Sequence, residues 1–252
     1  MGKDQKNQSV TKMAVLMSAG TFLSRILGFV RDAVVLALFG RTITDVFAAA
    51  FALPNFFRRL LGEGSLSVAF IPVYVDRLSN EKSSDGQQAR SLANAIFTLV
   101  LLLGLILSGA CFVFMESILR WWLGEGSFVQ VPGKFELALS LSRITIFYLI
   151  LVSTYAYFMA ICQAFNRFFL PAIAPALFNF VFIGVVLLPD GWFDVSARKL
   201  AWAVIFGGVA QVLIVIWQLM RLGQLPRPTL RINLPSVRTI GLNMAPGILG
   251  LA

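Results

Sequence analysis

The chain has no histidine and only two cysteines among its 252 residues. Without histidine, the usual acid–base side chain of neutral pH is missing. Cys111 and Cys162 both fall in apolar runs, where a thiol is an inert buried group, so a disulfide or metal centre is not expected and no cofactor is implied. Charge is scarce as well: 13% of residues are charged, where a soluble domain carries about 25%. Acids are rarest, 12 against 21 Lys and Arg, which leaves a net charge of +9. The basic residues sit in short connectors and inside apolar runs, with no basic tail and no RNA-binding motif, so nucleic acid is not expected as a partner. The polar–apolar alternation of a transmembrane β-barrel is absent too. What remains is 58% hydrophobic with a mean hydropathy of +0.82. The fold class is therefore an all-α polytopic membrane protein, embedded among membrane lipids.

A membrane span needs about 20 apolar residues. Six such stretches are expected at 13–39, 45–75, 91–116, 139–162, 168–188 and 200–220. Residues 1–12 read as a polar cytoplasmic tail, without the n-region and cleavage site of a secretory signal. The expected organisation is thus this tail, a six-span lobe over 13–220, a cytoplasmic linker over 221–239 carrying Pro226, Pro228 and Pro235, and the start of a seventh helix over 240–252. That last stretch is too short to cross a bilayer. The expectation is therefore that the chain is the front part of a longer transporter, with a second lobe beyond it. With the N-terminus inside, eleven Lys and Arg fall in or beside cytoplasmic connectors and five in outer ones, which favours that orientation.

The first two spans are exceptional because they carry Arg25, Arg31, Arg58 and Arg59. Each arginine at a helix centre costs about 2.5–3.5 kcal/mol on insertion scales, so four cost about 10–14 kcal/mol before any relief. Asp32 and Glu63 offset part of this, but a cationic surplus remains. Such a surplus is tolerable when it faces a wet internal cavity, and it suits an anionic cargo. In the first span Gly20, Thr21, Ser24, Arg25, Gly28, Arg31 and Asp32 occupy a wedge of about 140°. Arg31 and Asp32 are adjacent and diverge by about 100°, which argues against a salt bridge between them. Thr44–Asp45 reads as an N-cap pair for the second span, and a kink at Pro54 or a break at Gly62–Gly64 is expected there. Arg25 lies about 18 Å along the outgoing helix and Arg58 about 20 Å down the returning one, so one patch forms at one depth. The alternative is that these arginines only pair with acids or carbonyls and hold helices together. Arg143 is expected to snorkel to the interface. Pro171, Pro175 and Asn179 suggest a distorted helix rather than a binding site.

The segment Ser24-Arg25-Ile26-Leu27-Gly28-Phe29-Val30-Arg31-Asp32, then Thr44-Asp45-Val46-Phe47, then Leu53-Pro54-Asn55-Phe56-Phe57-Arg58-Arg59 with Gly62-Glu63-Gly64, closely resembles the MurJ (MviN) family of bacterial lipid II flippases. Asn166-Arg167-Phe168 and Met244-Ala245-Pro246 carry the same resemblance. It implies two six-helix lobes around a central cavity plus further C-terminal helices, here the first lobe and the opening of the second. It implies translocation of the undecaprenyl-diphosphate-linked peptidoglycan precursor, lipid II, across the bacterial cytoplasmic membrane by alternating access, with no enzymatic step. Arg25, Arg31, Arg58 and Arg59 would hold the diphosphate; Ser24, Asp32, Pro54 and Glu63 would support them, and Asp45 would belong to an outer gate. Coupling to the membrane potential or to ions is expected of so charged a cargo. The alternatives are an exporter of another lipid-linked oligosaccharide, or an enzyme acting on polyprenyl phosphates. The enzyme would want paired acids or a histidine, and no span supplies them.

Overall fold

A computed structural model describes residues 3–60, 66–80, 87–124, 128, 131–189, 191, 193, 196–232 and 240, with side chains described from Ser18 onward except those of 59, 60, 66 and 80. Among the described residues all regular structure is helical, as the composition requires. The helices are α1 (Lys3–Leu38), α2 (Arg41–Leu60), α3 (Leu66–Asn80), α4 (Gln87–Val113), α5 (Met115–Leu123), α6 (Lys134–Thr145), α7 (Tyr148–Ala164), α8 (Phe169–Val186) and α9 (Arg198–Arg221). Four stretches are long and apolar enough to cross a bilayer: 87–113, 134–164, 169–186 and 198–221. The arginine-bearing α1 and α2 are not among them.

The helix bounds sharpen several of these expectations. The polar start is helical from Lys3 on and continuous with α1, which runs unbroken to Leu38. At 1.5 Å per residue it is about 54 Å long and outreaches the hydrocarbon core. The stretch expected as one span at 45–75 comprises two helices, α2 and α3. The break expected at Gly62–Gly64 lies outside the described residues, as does the seventh helix apart from Ile240. The span expected at 139–162 falls within the bilayer-length stretch 134–164, which is divided into α6 and α7 at Ile146–Phe147. There the ladder tightens, with the Phe147 and Leu149 amides donating to the carbonyls of Ile144 and Ile146, each three residues back.

Helix α7 is the axis of the bundle: Tyr148, Tyr157, Phe158, Ile161 and Cys162 along it are all buried. One core joins Phe70 and Tyr74 of α3, Leu92 and Ile96 of α4, and Val215 and Leu219 of α9 to the second half of α7. Another joins Val35 of α1, Phe178 and Phe182 of α8, and Leu200 and Val204 of α9 to its first half. Lipid offers no hydrophobic drive between helices, so close approach at small residues holds them together. Gly20 of α1 packs on Ala172 of α8. Gly207 and Gly208 of α9 accept the rings of Phe178 and Tyr148, to which an added Cβ would come within 2.8 and 2.7 Å. Outward faces stay apolar, as Leu103, Ile106, Phe180 and Leu213 show.

Candidate functional site

Five helices enclose a cavity of about 560 Å³. Four of them contribute residues at helical spacing, so each of the four turns one face to it, and the fifth contributes one residue. From α1 come Ser24, Arg25, Gly28 and Arg31; from α2, Phe51, Asn55 and Arg58. Helix α7 adds Tyr148, Val152, Tyr155 and Met159, α8 adds Pro175, Phe178 and Asn179, and α9 adds Gln211. Among the described residues three guanidinium groups line this wall and no carboxylate does.

Arg31 is held from three sides. Its Nη1 donates to Asn179 Oδ1 at 3.1 Å, and its Nε and Nη2 donate to Asp32 Oδ1 at 3.0 and 2.8 Å. Its guanidinium carbon sits 5.6 Å from the centroid of the Phe182 ring. The pairing with Asp32 corrects the expectation from helix geometry. The Cβ vectors diverge, but the long arginine side chain bends back towards its neighbour's carboxylate. Asp32 stays 64% exposed at its side chain and is not part of the cavity wall, so the neutralisation it offers is screened. Asn179 also donates its Nδ2 to the Ser24 carbonyl at 3.1 Å, tying α8 to α1 at the level of the arginines. Arg58 Nε donates to Asn55 Oδ1 at 2.9 Å, one turn back on α2. Arg25 has no hydrogen-bond acceptor among the described residues. The neutral amides orient two of the three cations and cancel no charge.

The structure therefore brings Ser24, Arg25, Arg31 and Arg58 to one cavity. Pro54 is buried within α2 and outside the cavity lining. The Arg59 side chain and Glu63 lie outside the described residues. Asp45 is not an N-cap, because α2 begins at Arg41 and Asp45 sits in its second turn. Instead its Oδ2 accepts from Lys134 Nζ at 3.3 Å, joining α2 to the start of α6. Lys134 in turn lies 4.3 Å from the Phe128 ring centroid. Arg143 does not snorkel: its guanidinium lies 5.7 Å from the Phe112 centroid, and its buried Nε has no hydrogen-bond partner. Asn179, read as part of a distorted helix, is in the wall. Gln211, Tyr148 and Tyr155 join it without any signal in the sequence, because they are neutral residues in ordinary apolar spans.

An all-helical bundle with, among the described residues, four bilayer-length apolar stretches and a cationic cavity lined in part by them is a multi-pass membrane protein. Its fold matches a structure titled "Lipid II flippase MurJ, inward closed conformation" with a TM-score of 0.72 at 23% identity, covering 94% of this chain and 47% of that one. It also matches an outward-facing multidrug resistance transporter of the MOP superfamily, with a TM-score of 0.70 at 16% identity over 96% of this chain and 52% of that one. The sequence goes further than the fold. Residues 34–252 match the family model described as lipid II flippase MurJ, and the chain belongs to that family. It is 40% identical over 250 residues to a probable lipid II flippase MurJ of Bdellovibrio bacteriovorus, covering 99% of this chain and 47% of that protein. It is 30% identical to the lipid II flippase MurJ of Burkholderia cenocepacia, over 91% of this chain and 45% of the relative. The chain spans about half the length of the curated relatives it matches.

Proposed function

We propose that this chain forms the cationic half of a flippase that carries lipid II from the inner to the outer leaflet of the bacterial cytoplasmic membrane. The observation that carries the reading is the wall of Arg25, Arg31 and Arg58 with no carboxylate among its described lining residues. A diphosphate presents oxygen pairs that guanidinium forks engage in a bidentate manner. Arg25 and the Nη groups of Arg58 have no acceptor among the described residues and are available to it. Asn55 and Asn179 hold Arg58 and Arg31 ready. Phe51, Val152 and Phe178 supply an apolar margin beside the charges. The polyprenyl tail stays in lipid while the polar head passes the cavity. A second lobe closes the opposite wall.

The N-terminus is assigned to the cytoplasm. The pairs Asp45–Lys134 and Arg198–Ser140 gather the starts of α2, α6 and α9 at one end of the bundle. The pairs Arg77–Gln88 and Arg90–Gly223 gather the end of α3, the start of α4 and the end of α9 at the other. The tally of basic connectors makes the second end cytoplasmic. Outward movement of a dianionic headgroup is then favoured by a negative interior, so export is coupled to the membrane potential.

The reading is tested in the full-length protein in cells depleted of their own flippase. Arg25→Ala, Arg31→Ala and Arg58→Ala each abolish the appearance of lipid II in the outer leaflet at unchanged membrane levels. Lys replacements restore little, since a point charge lacks the fork. Normal export by all three Ala variants would refute the site.

A further inference from the structure

At the end of the bundle away from Asp45 and Lys134, the chain leaves α9 through Gly223, at φ +65°, and lies back along α4. Pro226 and Pro228 have no amide hydrogen, so Arg227 and Thr229 supply the donors of this strap. The Arg227 amide donates to Asn94 Oδ1 at 2.8 Å and the Thr229 amide to Thr98 Oγ1 at 2.9 Å. Asn94 and Thr98 are four residues apart, hence on one face of α4. Arg90 Nη2 closes the near end on the Gly223 carbonyl at 3.0 Å.

Strap and helix enclose a second cavity of about 260 Å³, lined by Arg90, Asn94, Gln224 and Arg227 among others and, among the described residues, by no carboxylate. Among the described residues the Arg227 guanidinium has no acceptor, and Arg90 spends one donor on a carbonyl. The depth is marked by Trp217, half exposed with the Arg221 guanidinium 3.9 Å from its ring, as aromatic residues mark a membrane interface. Leu225 and Leu230 project from the same strap, and Leu230 is 99% exposed. One open guanidinium group and a second with donors to spare, beside exposed leucines at the interface, match a phosphate ester attached to acyl chains.

We propose that this cavity is a binding site for the phosphate of an acidic phospholipid headgroup, with the acyl chains lying against Leu225 and Leu230. It is separate from the central cavity and independent of the cargo. A bound lipid fastens the strap, and with it the exit from α9, onto α4.

The test uses the protein purified in a mixed micelle of phosphatidylcholine and phosphatidylglycerol, with retained lipids counted by native mass spectrometry. Arg227→Gln removes no internal hydrogen bond and so keeps the fold. It lowers phosphatidylglycerol retention about fivefold, and with Arg90→Gln about thirtyfold, the worth of one and two interfacial arginines. Arg120→Gln, an equal loss of charge on α5, retains the lipid as the wild type does. Equal retention by the Arg227→Gln and Arg120→Gln proteins overturns the site. So does equal retention of phosphatidylcholine by the wild type. If millimolar glycerol phosphate alone displaces the lipid, the cavity is a site for soluble phosphate esters and the lipid assignment is overturned.

Discussion

The hydroxyl of Tyr155 donates a 2.8 Å hydrogen bond to the carbonyl oxygen of Pro171, the atom that Pro175, four residues on, leaves without its helical partner. Thr145 does the same for α2. Its Oγ1 donates at 2.8 Å to the Ala50 carbonyl, four residues before Pro54. Proline inside a membrane helix is tolerated where neighbouring side chains satisfy the freed carbonyl. Here both hydroxyls come from the α6–α7 span. This is how two proline-bearing helices can flank the cavity without a buried orphan acceptor.

From this we predict that Thr145→Val and Tyr155→Phe, each nearly isosteric, cost about 1–2 kcal/mol by orphaning one carbonyl. Restoring the amide, through Pro54→Ala in the Thr145→Val background, recovers most of the loss. Thermal unfolding in detergent measures it. An uncompensated or absent effect would mean that the carbonyls find other donors.

The arginines were legible because a charge in an apolar run is anomalous wherever it folds. Arg25, Arg31 and Arg58 needed only the helical period and the bilayer thickness to be placed at one depth. Their neutral partners were not legible. Asn179 and Gln211 become part of the wall only once α8 packs on α1 and α9 on α7, and that packing is set by Gly20, Gly207 and Gly208. Helix ends were not legible for a similar reason. Lys3–Lys12 is polar yet helical and continuous with α1, because hydropathy reports burial in lipid and not helicity. Asp45 has the composition of a cap and is a mid-turn residue reaching Lys134.

Asn179 gives a sharper test of the site than removing an arginine. Its Oδ1 already lies 3.1 Å from Arg31 Nη1. We predict that Asn179→Asp converts this neutral contact into an ion pair and lowers affinity for a diphosphate lipid about tenfold to a hundredfold. Asn179→Ala, which loosens Arg31 but leaves the charge of the wall intact, has the smaller effect. Binding of a fluorescent polyprenyl diphosphate to the purified protein checks the order. The reverse order would make Asn179 a packing residue only.

The assigned orientation fixes an electrical sign. Two negative charges moved outward gain roughly 4.6 kcal/mol per 100 mV of interior-negative potential, provided the arginines do not cross the field with them. We predict that dissipating the potential at constant pH slows export by the full-length protein severalfold. A rate indifferent to the potential would show that the headgroup moves as a neutral complex with its cations.

Gly208 tests whether close helix packing shapes the cavity wall. A Cβ there would stand 2.7 and 2.9 Å from Tyr148 Cδ2 and Cε2 and 3.0 Å from a Leu151 methyl. Tyr148 is buried against Phe178 and Phe51, at centroid distances of 5.5 and 5.8 Å, so its ring has little room to yield. Overpacking of this kind costs about 1–3 kcal/mol. We predict that Gly208→Ala destabilises the protein by that amount and shifts Tyr148 into the cavity, weakening diphosphate binding as well. Gly109→Ala and Gly184→Ala serve as controls, since a Cβ at either meets nothing within 4 Å. Those two changes leave binding untouched and unfolding unchanged or slightly later, because Ala favours the helix over Gly. Should Gly208→Ala behave as the controls do, α9 is not packed against α7 at this point, and Gln211, three residues further along α9, would lose its place in the wall.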